Sequence, residues 1–294
     1  MSIAYDVGVN MAVRKLRESW LGDATPAFGI VLGSGLGDLA DAIESAKTVS
    51  YADIPNFLLP SVAGHDGKLI IGTLEGVSVI ALKGRTHFYE VAGDPNGIEK
   101  VVFPVDVLAS LGVPNYFVTN AAGGLNQAYH VGDAMVIRSH VNLLPNPLLY
   151  RGQVHGFKRI DGEEPERFQP MNGAYDAGLR KLLLDAGADF PGHVHEGVYL
   201  AGTGPSYESE AECVAFRDGF HADAVGMSTT PEVIVARNRG MRVVGMSCIT
   251  NVIGEDGTNA TNHNEVKRVL ESAEVRGRLT GLVWNFFRAY ARSE

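Results

Sequence analysis

Cysteine is nearly missing from this sequence: Cys213 and Cys248 are the only two. Each stands alone in an apolar stretch, which excludes a CxxC motif or a cysteine zinc site. A disulfide framework is not expected, and a reducing compartment, the cytoplasm, is the expected location. Long apolar runs are missing too. None approaches about 18 residues, so no membrane-spanning helix is expected. The opening MSIAYDVGVNMAVRKLRESW lacks the apolar core and small-residue cleavage site of a secretory signal. Positive charge is scarce, with 25 Lys and Arg against 34 Asp and Glu and a net charge of −9. Neither nucleic acid nor an anionic membrane is therefore an expected partner. A small anion remains compatible, because a few basic groups in a concave site outweigh an acidic average. GxxxxGK[ST], GxSxG and HExxH are all absent, which leaves P-loop, serine-hydrolase and zincin chemistry without an anchor.

What is present is a well-provisioned core. The 294 residues are 45% hydrophobic and only 20% charged, the balance of a folded globular chain. Short Val- and Ile-rich runs alternate with helical patterns. FGIVLG (Phe28 to Gly33) reads as a buried strand, followed by a Gly-rich turn and an amphipathic segment from Asp38 to Glu44. KLIIGTLEGVSVIALKG reads as a hairpin turning at Glu75-Gly76. A helix through Val101 to Leu111 leads to the strand NYFVTN. DAMVIRSHVNLL and HEGVYLAGTG are further strands, separated by a polar, irregular stretch from about 145 to 171 and then a helix. ADAVGMS feeds a short helix, with Thr230 as N-cap, Pro231 at N1, Glu232 as a first-turn acid and Gly240 as its stop. RVVGMSCITN is the last strand. Asn262 and Glu265 form a capping-box pattern, and helical spacing then runs from Val266 to the C-terminus. Alternating strands and helices predict an α/β layered fold, a central mixed sheet flanked by helices. No repeat or linker divides the chain, so residues 1–294 read as a single domain.

Seven segments offer chemistry, each with a plainer alternative. GSGLG (Gly33 to Gly37) fits either an anion cradle or a tight turn. It is not a dinucleotide fingerprint, because Asp38 stands where GxGxxG needs glycine. His65, flanked by glycines in GHDGK, is a mobile, accessible proton or anion partner, or simply a loop histidine. In LKGRTHFYE, Arg85, His87 and Tyr89 alternate beyond a strand end and project to one side, unless Arg85 merely pairs with Glu90 on the surface. VTNAAGGLN leaves room for a ligand against the main chain, or for close strand-on-helix packing. Tyr207 and Glu208 stand at a helix start capped by Ser206, where a glutamate often only complements the dipole. Ser228 binds an anion or caps a helix, and Asn251 reads a heterocycle edge or forms an Asx-turn. His193 and His195, at strand spacing, read as structural or surface histidines.

Taken in this order, these segments resemble the trimeric, low-molecular-mass purine nucleoside phosphorylases from Gly33 to the C-terminal helix. VTNAAGGLN and HADAVGMSTTPEVIVAR carry most of the resemblance. The resemblance implies a nucleoside phosphorylase-like fold, a cytoplasmic homotrimer, and phosphorolysis of a purine nucleoside with inorganic phosphate as co-substrate. It implies no metal and no organic cofactor. Phosphate would be held by Ser34, His65, Arg85, His87, Ser228 and the backbone N–H of Ala121. Ribose would meet Tyr89, Met227 and His263, and the purine Tyr207, Glu208, Thr250 and Asn251. Catalysis would fall to Asn251, Glu208 and His87. The related methylthioadenosine phosphorylases carry Asp in place of Asn251 and lack Glu208, so inosine and guanosine are the implied substrates rather than adenosine; some bacterial relatives also accept xanthosine. Family members lay a neighbouring subunit's phenylalanine over the ribose. The matching text here puts Glu164 at that position, with Phe157 and Phe168 as the nearby aromatics. A binding protein that kept the pocket and lost turnover is the rival from another class.

Overall fold

The computed structural model describes residues 2–33, 37–62, 65–149 and 157–293. Nine strands form one mixed sheet in the order β2-β3-β4-β1-β5-β8-β7-β6-β9. Their ranges are β1 Phe28–Leu32, β2 Glu44–Ser50, β3 Lys68–Leu74, β4 Val77–Lys83, β5 Asn115–Gly124, β6 Ala134–Asn142, β7 Val194–Ala201, β8 Ala224–Gly226 and β9 Arg242–Val252. An additional β5–β9 pairing closes the last five strands on themselves. The expected mixed α/β sheet is present. Its closure is not visible in strand patterns, because it depends on β9 pairing on both sides.

β1 is parallel to β4 and β5, and β5 is parallel to β9. The carboxyl ends of all four strands therefore lie at one edge, the edge where open α/β sheets place their ligands. β5 is buried along nearly all its length, as a continuous Tyr-Phe-Val-Thr run should be in a central strand. The β3–β4 hairpin turns at Glu75 and Gly76, both at positive φ, as expected.

Helices cover both faces. α1 (Ser2–Leu16), α3 (Gly97–Ser110) and α6 (Thr230–Asn238) contribute Val9, Val105 and Val233 to one core. α4 (Ala177–Ala186) and α8 (Ala273–Ser293) contribute Leu183, Phe286 and Phe287 to the other. There Phe28 meets the rings of Phe286, Phe287 and Tyr290 edge-on at 4.8–5.8 Å. Short α2 (Phe88–Val91), α5 (Glu210–Val214) and α7 (His263–Glu271) sit around the carboxyl edge and its approaches.

Several boundaries differ from the sequence reading. The Asp38–Glu44 segment is a 3-10 turn (Gly37–Ala40) leading into β2, and β2 was hidden because ESAKTVS is mostly exposed and carries no apolar alternation. α6 begins at Thr230, with Thr229 rather than Thr230 as its N-cap, because Thr229 adopts φ 73° and cannot be helical. The C-terminal helical run is two helices, broken where Ser272 turns extended. Asn262 caps α7 as expected, accepting from the N–H groups of Asn264 and Glu265. Ser206 caps nothing; Ser209 caps α5 in a capping box with Glu212, which leaves Tyr207 and Glu208 ahead of the helix.

Candidate active site

The carboxyl ends of β4, β5 and β9 open into a cleft with two chemically distinct ends. At one end the chain leaves β4 through Gly84 at φ +135°, where a Cβ would lie 2.9 Å from the backbone nitrogen of Gly67. Only glycine fits that bend, and the bend delivers Arg85 inward. Arg85 is buried. Its Nε meets Glu232 Oε2 at 2.8 Å and its Nη1 donates to the Thr119 carbonyl at 3.0 Å. Its Nη2 is buried with no partner. The surface pairing of Arg85 with Glu90 does not occur, because Glu232 takes the guanidinium from the core side.

His65 is buried rather than mobile and accessible. Its Nδ1 accepts the Arg85 backbone N–H at 3.1 Å, so its proton resides on Nε2. Burial, reinforced by the charges of His87 and Arg85, lowers its pKa to about 3. The ring is therefore a neutral donor at physiological pH.

His87 caps α2, and Tyr89 lies in that helix rather than on a continued strand. Their rings stack at 5.0 Å, so the two share a side through a helical turn and not through strand alternation. Glu90 Oε1 lies 3.0 Å from His87 Nδ1, and Glu90 also accepts from the N–H and hydroxyl of Ser61. Burial pushes the Glu90 carboxyl up, but these bonds outweigh it and hold the pKa at about 2. An ionised carboxylate only accepts, so His87 Nδ1 carries the proton.

Ser228 and Ala121 complete this end. Ser228 does not cap α6; its Oγ lies 3.2 Å from Thr229 Oγ1. Ser34 lies outside the described residues. Its neighbour Gly33 donates its N–H to Thr119 Oγ1 at 2.9 Å, and a Cβ there would sit 2.5 Å from the Thr119 carbonyl oxygen. Close packing thus explains the first glycine of that loop.

The other end is built from β9 and two loops. Thr250 Oγ1 donates to the Ala122 carbonyl and approaches Asn251 Oδ1 at 3.2 Å. Asn251 Nδ2 donates to Asn259 Oδ1 at 3.2 Å, so the amide is held across the cleft floor and makes no Asx-turn. Tyr207 and Glu208 line the same cleft, and burial raises the Glu208 carboxyl pKa. Tyr89, Met227 and His263, the first residue of α7, line it as well.

Every site residue expected from the sequence, Ser34 aside, lines this one cleft. Sequence reasoning missed Asn120, Asn259, Glu90 and Glu232. Asn120 donates to Thr229 Oγ1 at 2.9 Å, while its own Oδ1 is buried and unpartnered. Of the two aromatics near Glu164, Phe157 is buried under Arg239 and against Tyr5, whereas Phe168 is exposed. Glu164 pairs with Lys158. His193 and His195 both bond the buried carboxylate of Asp133, at 2.7 and 2.8 Å, which makes them structural. Among the described residues no group of three or more His, Cys, Asp or Glu side chains is arranged to hold a metal ion, and no helix is long and apolar enough to cross a membrane.

Comparison with known proteins identifies the family. Residues 27–286 match the phosphorylase superfamily. Purine nucleoside phosphorylase 1 of Bacillus subtilis (strain 168) is 46% identical over 251 residues, covering 85% of this chain and 88% of its own. A Schistosoma purine nucleoside phosphorylase solved with hypoxanthine superposes with a TM-score of 0.80 at 35% identity, covering 95% of this chain and 96% of that one. A Schistosoma mansoni purine nucleoside phosphorylase solved with adenosine gives 0.81 at the same identity and coverage. The chain belongs to the phosphorylase superfamily, in its purine nucleoside phosphorylase family.

Proposed function

We propose that the chain cleaves 6-oxopurine nucleosides (inosine, guanosine, their deoxy forms and xanthosine) with inorganic phosphate, releasing the free base and ribose 1-phosphate. The observation that carries this reading is a single cleft that holds an unpartnered, buried Arg85 Nη2 beside a neutral His65 and is also lined by Glu208 and Asn251. Phosphate is the co-substrate, gripped by Arg85, His65, His87, Ser228, the Ala121 N–H and Ser34. The reaction needs no metal or organic cofactor.

In this reading a phosphate oxygen attacks C1′ as the glycosidic bond breaks, and the bonding electron pair leaves on N9 of the purine. Positive charge grows on the sugar, next to the bound anion, in an oxocarbenium-like transition state. Negative charge spreads over the purine, where Asn251 donates to N7 or O6 and Glu208 accepts from N1–H. Contacts that strengthen as charge moves are the ones that raise turnover rather than mere binding. Tyr89, Met227 and His263 hold the ribose, and Tyr207 and Thr250 border the base.

Selectivity follows from N1. A 6-oxopurine presents a donor there, which a carboxylate accepts. A 6-aminopurine presents a lone pair, which leaves Glu208 facing another acceptor, a mismatch that polar sites reject strongly. The test is a turnover panel of inosine, guanosine, xanthosine, adenosine and methylthioadenosine, with and without phosphate. Phosphate-dependent hypoxanthine release from inosine is expected. Adenosine or methylthioadenosine outrunning inosine would overturn the substrate assignment, and no turnover at all would leave a nucleoside-binding protein.

The same reading takes the enzyme as a cytoplasmic homotrimer, in keeping with two free, buried cysteines. Sedimentation equilibrium is expected to give three times the chain mass. A monomer at micromolar concentration would sink that part.

A further inference from the structure

Arg85 is useful to an anion only if its guanidinium keeps one edge turned into the cleft, and a long side chain does not do so unaided. Glu232 approaches from the opposite side. Its Oε2 takes the Nε edge at 2.8 Å, its Oε1 accepts the Tyr116 hydroxyl at 3.1 Å, and both ion-pair side chains are 5% exposed or less. Nη1 gives one proton to the Thr119 carbonyl, and Nη2 is the guanidinium nitrogen with no partner, open to a ligand. A glutamate in a helix's first turn ordinarily complements the helix dipole from the surface. This one is buried and reaches a residue 147 positions earlier in the chain.

The local backbone strengthens the case. Thr229 sits at φ 73°, ψ −53°, with the Thr230 N–H bonded to the Ser228 carbonyl at 2.8 Å. That is a γ-turn, a strained conformation for a β-branched residue, and it persists where the surroundings over-determine it. The tight turn fixes Ser228 to the start of α6, and Glu232 fixes α6 to Arg85. Two anion-facing groups from distant parts of the chain are thereby set relative to each other.

We propose that Glu232 is the positioning residue of the anion end, clamping the Nε edge of Arg85 so that Nη2 faces phosphate. The inference rests on the reading above that Arg85 binds phosphate. It assigns Glu232 no contact with substrate.

The test is steady-state kinetics with inosine, titrating phosphate and inosine separately, on Glu232→Ala, Glu232→Gln and Arg85→Ala. Glu232→Ala is expected to raise the KM for phosphate at least tenfold and to leave the KM for inosine within twofold. Glu232→Gln keeps an oxygen for Nε and is expected to recover most of the loss, to within threefold of the parent. A purely structural role would not separate the two substrates in this way. If Arg85→Ala raises the phosphate KM but a folded Glu232→Ala does not, or shifts both KM values equally, the inference fails and the phosphate site stands. A Gln variant as impaired as the Ala variant overturns positioning. An unchanged phosphate KM in Arg85→Ala removes the underlying reading, and this inference with it. Should Glu232→Ala not fold, Tyr116→Phe releases one side of the clamp. It is expected to raise the phosphate KM alone, two- to fivefold, and no change there is equally fatal.

Discussion

Asn251 gathers three independent constraints at one side chain. Its backbone ends a buried strand, its Oδ1 faces the Thr250 hydroxyl, and its Nδ2 gives one proton to Asn259. The second Nδ2 proton is the one an electron-rich purine would draw on. Glu208, by contrast, is held by position and by burial, which raises its pKa and with it its strength as an acceptor. Removing either side chain is expected to lower kcat/KM with inosine at least tenfold, on the scale of about 1.4 kcal/mol per tenfold. Steady-state assays of Asn251→Ala and Glu208→Ala check this, and parental kinetics in both would remove the proposed base contacts. At this scale the sequence was most legible where chemistry sits beside a glycine or a strand end, as at Arg85 and Asn251. Glu232 was read as an ordinary first-turn acid, because nothing local shows that it faces inward. Asn259 lay in a polar loop with no periodicity to set it apart. His65 looked mobile because its glycine neighbours say nothing of Gly84 and Arg85 folding over it.

Helix ends and tight turns were legible because their signals are local: the Glu75-Gly76 turn, the Asn262 cap and the Gly240 stop all stand where they were read. What was not legible depends on partners far away in sequence. β2 exists because β3 offers it an edge, and Thr229 replaces Thr230 as a cap because the turn behind it is bent toward the cleft. The contacts between helices follow the same rule. Asp106 in α3 accepts from Arg239, just after α6, at 2.6 Å and from Tyr5 of α1 at 2.9 Å, with no exposure of the carboxylate. One buried charge thereby ties three helices together. Breaking such a pair from one side strands the other charge, at about 3–5 kcal/mol. Asp106→Ala is expected to lower unfolding stability by that amount in urea, with kcat for inosine in the surviving folded enzyme near the parental value. A loss under 1 kcal/mol would mean that Arg239 finds another partner without difficulty.

Across the whole molecule, two histidines, buried His65 and half-buried His140, do not take up protons readily. Burial lowers His65 to about 3 and His140, whose Nδ1 lies 3.1 Å from the Tyr175 hydroxyl, to about 4, against an ordinary value of 6.5. Below pH 6.5 the unfolded chain binds protons that the folded chain refuses, so folding stability is intact above that pH and declines with acidification. The decline continues until the folded-state values are reached, at up to about 1.4 kcal/mol per pH unit for each group. Glu90 adds a loss of the same sign below pH 4.5, where its unfolded carboxyl protonates first. Glu208, with its pKa raised, works in the opposite direction and partly offsets the slope above pH 4.5. The contribution of His140 is therefore best read as a difference. Urea midpoints of the parent and of His140→Gln, which keeps a partner for Tyr175, should be compared at intervals from pH 6.5 to 4.5. The variant is expected to lose about 1 kcal/mol less per pH unit than the parent. Parallel slopes would show that His140 protonates in the folded protein as readily as in the unfolded chain, and its packing against Tyr175 would then offer it no shelter from solvent.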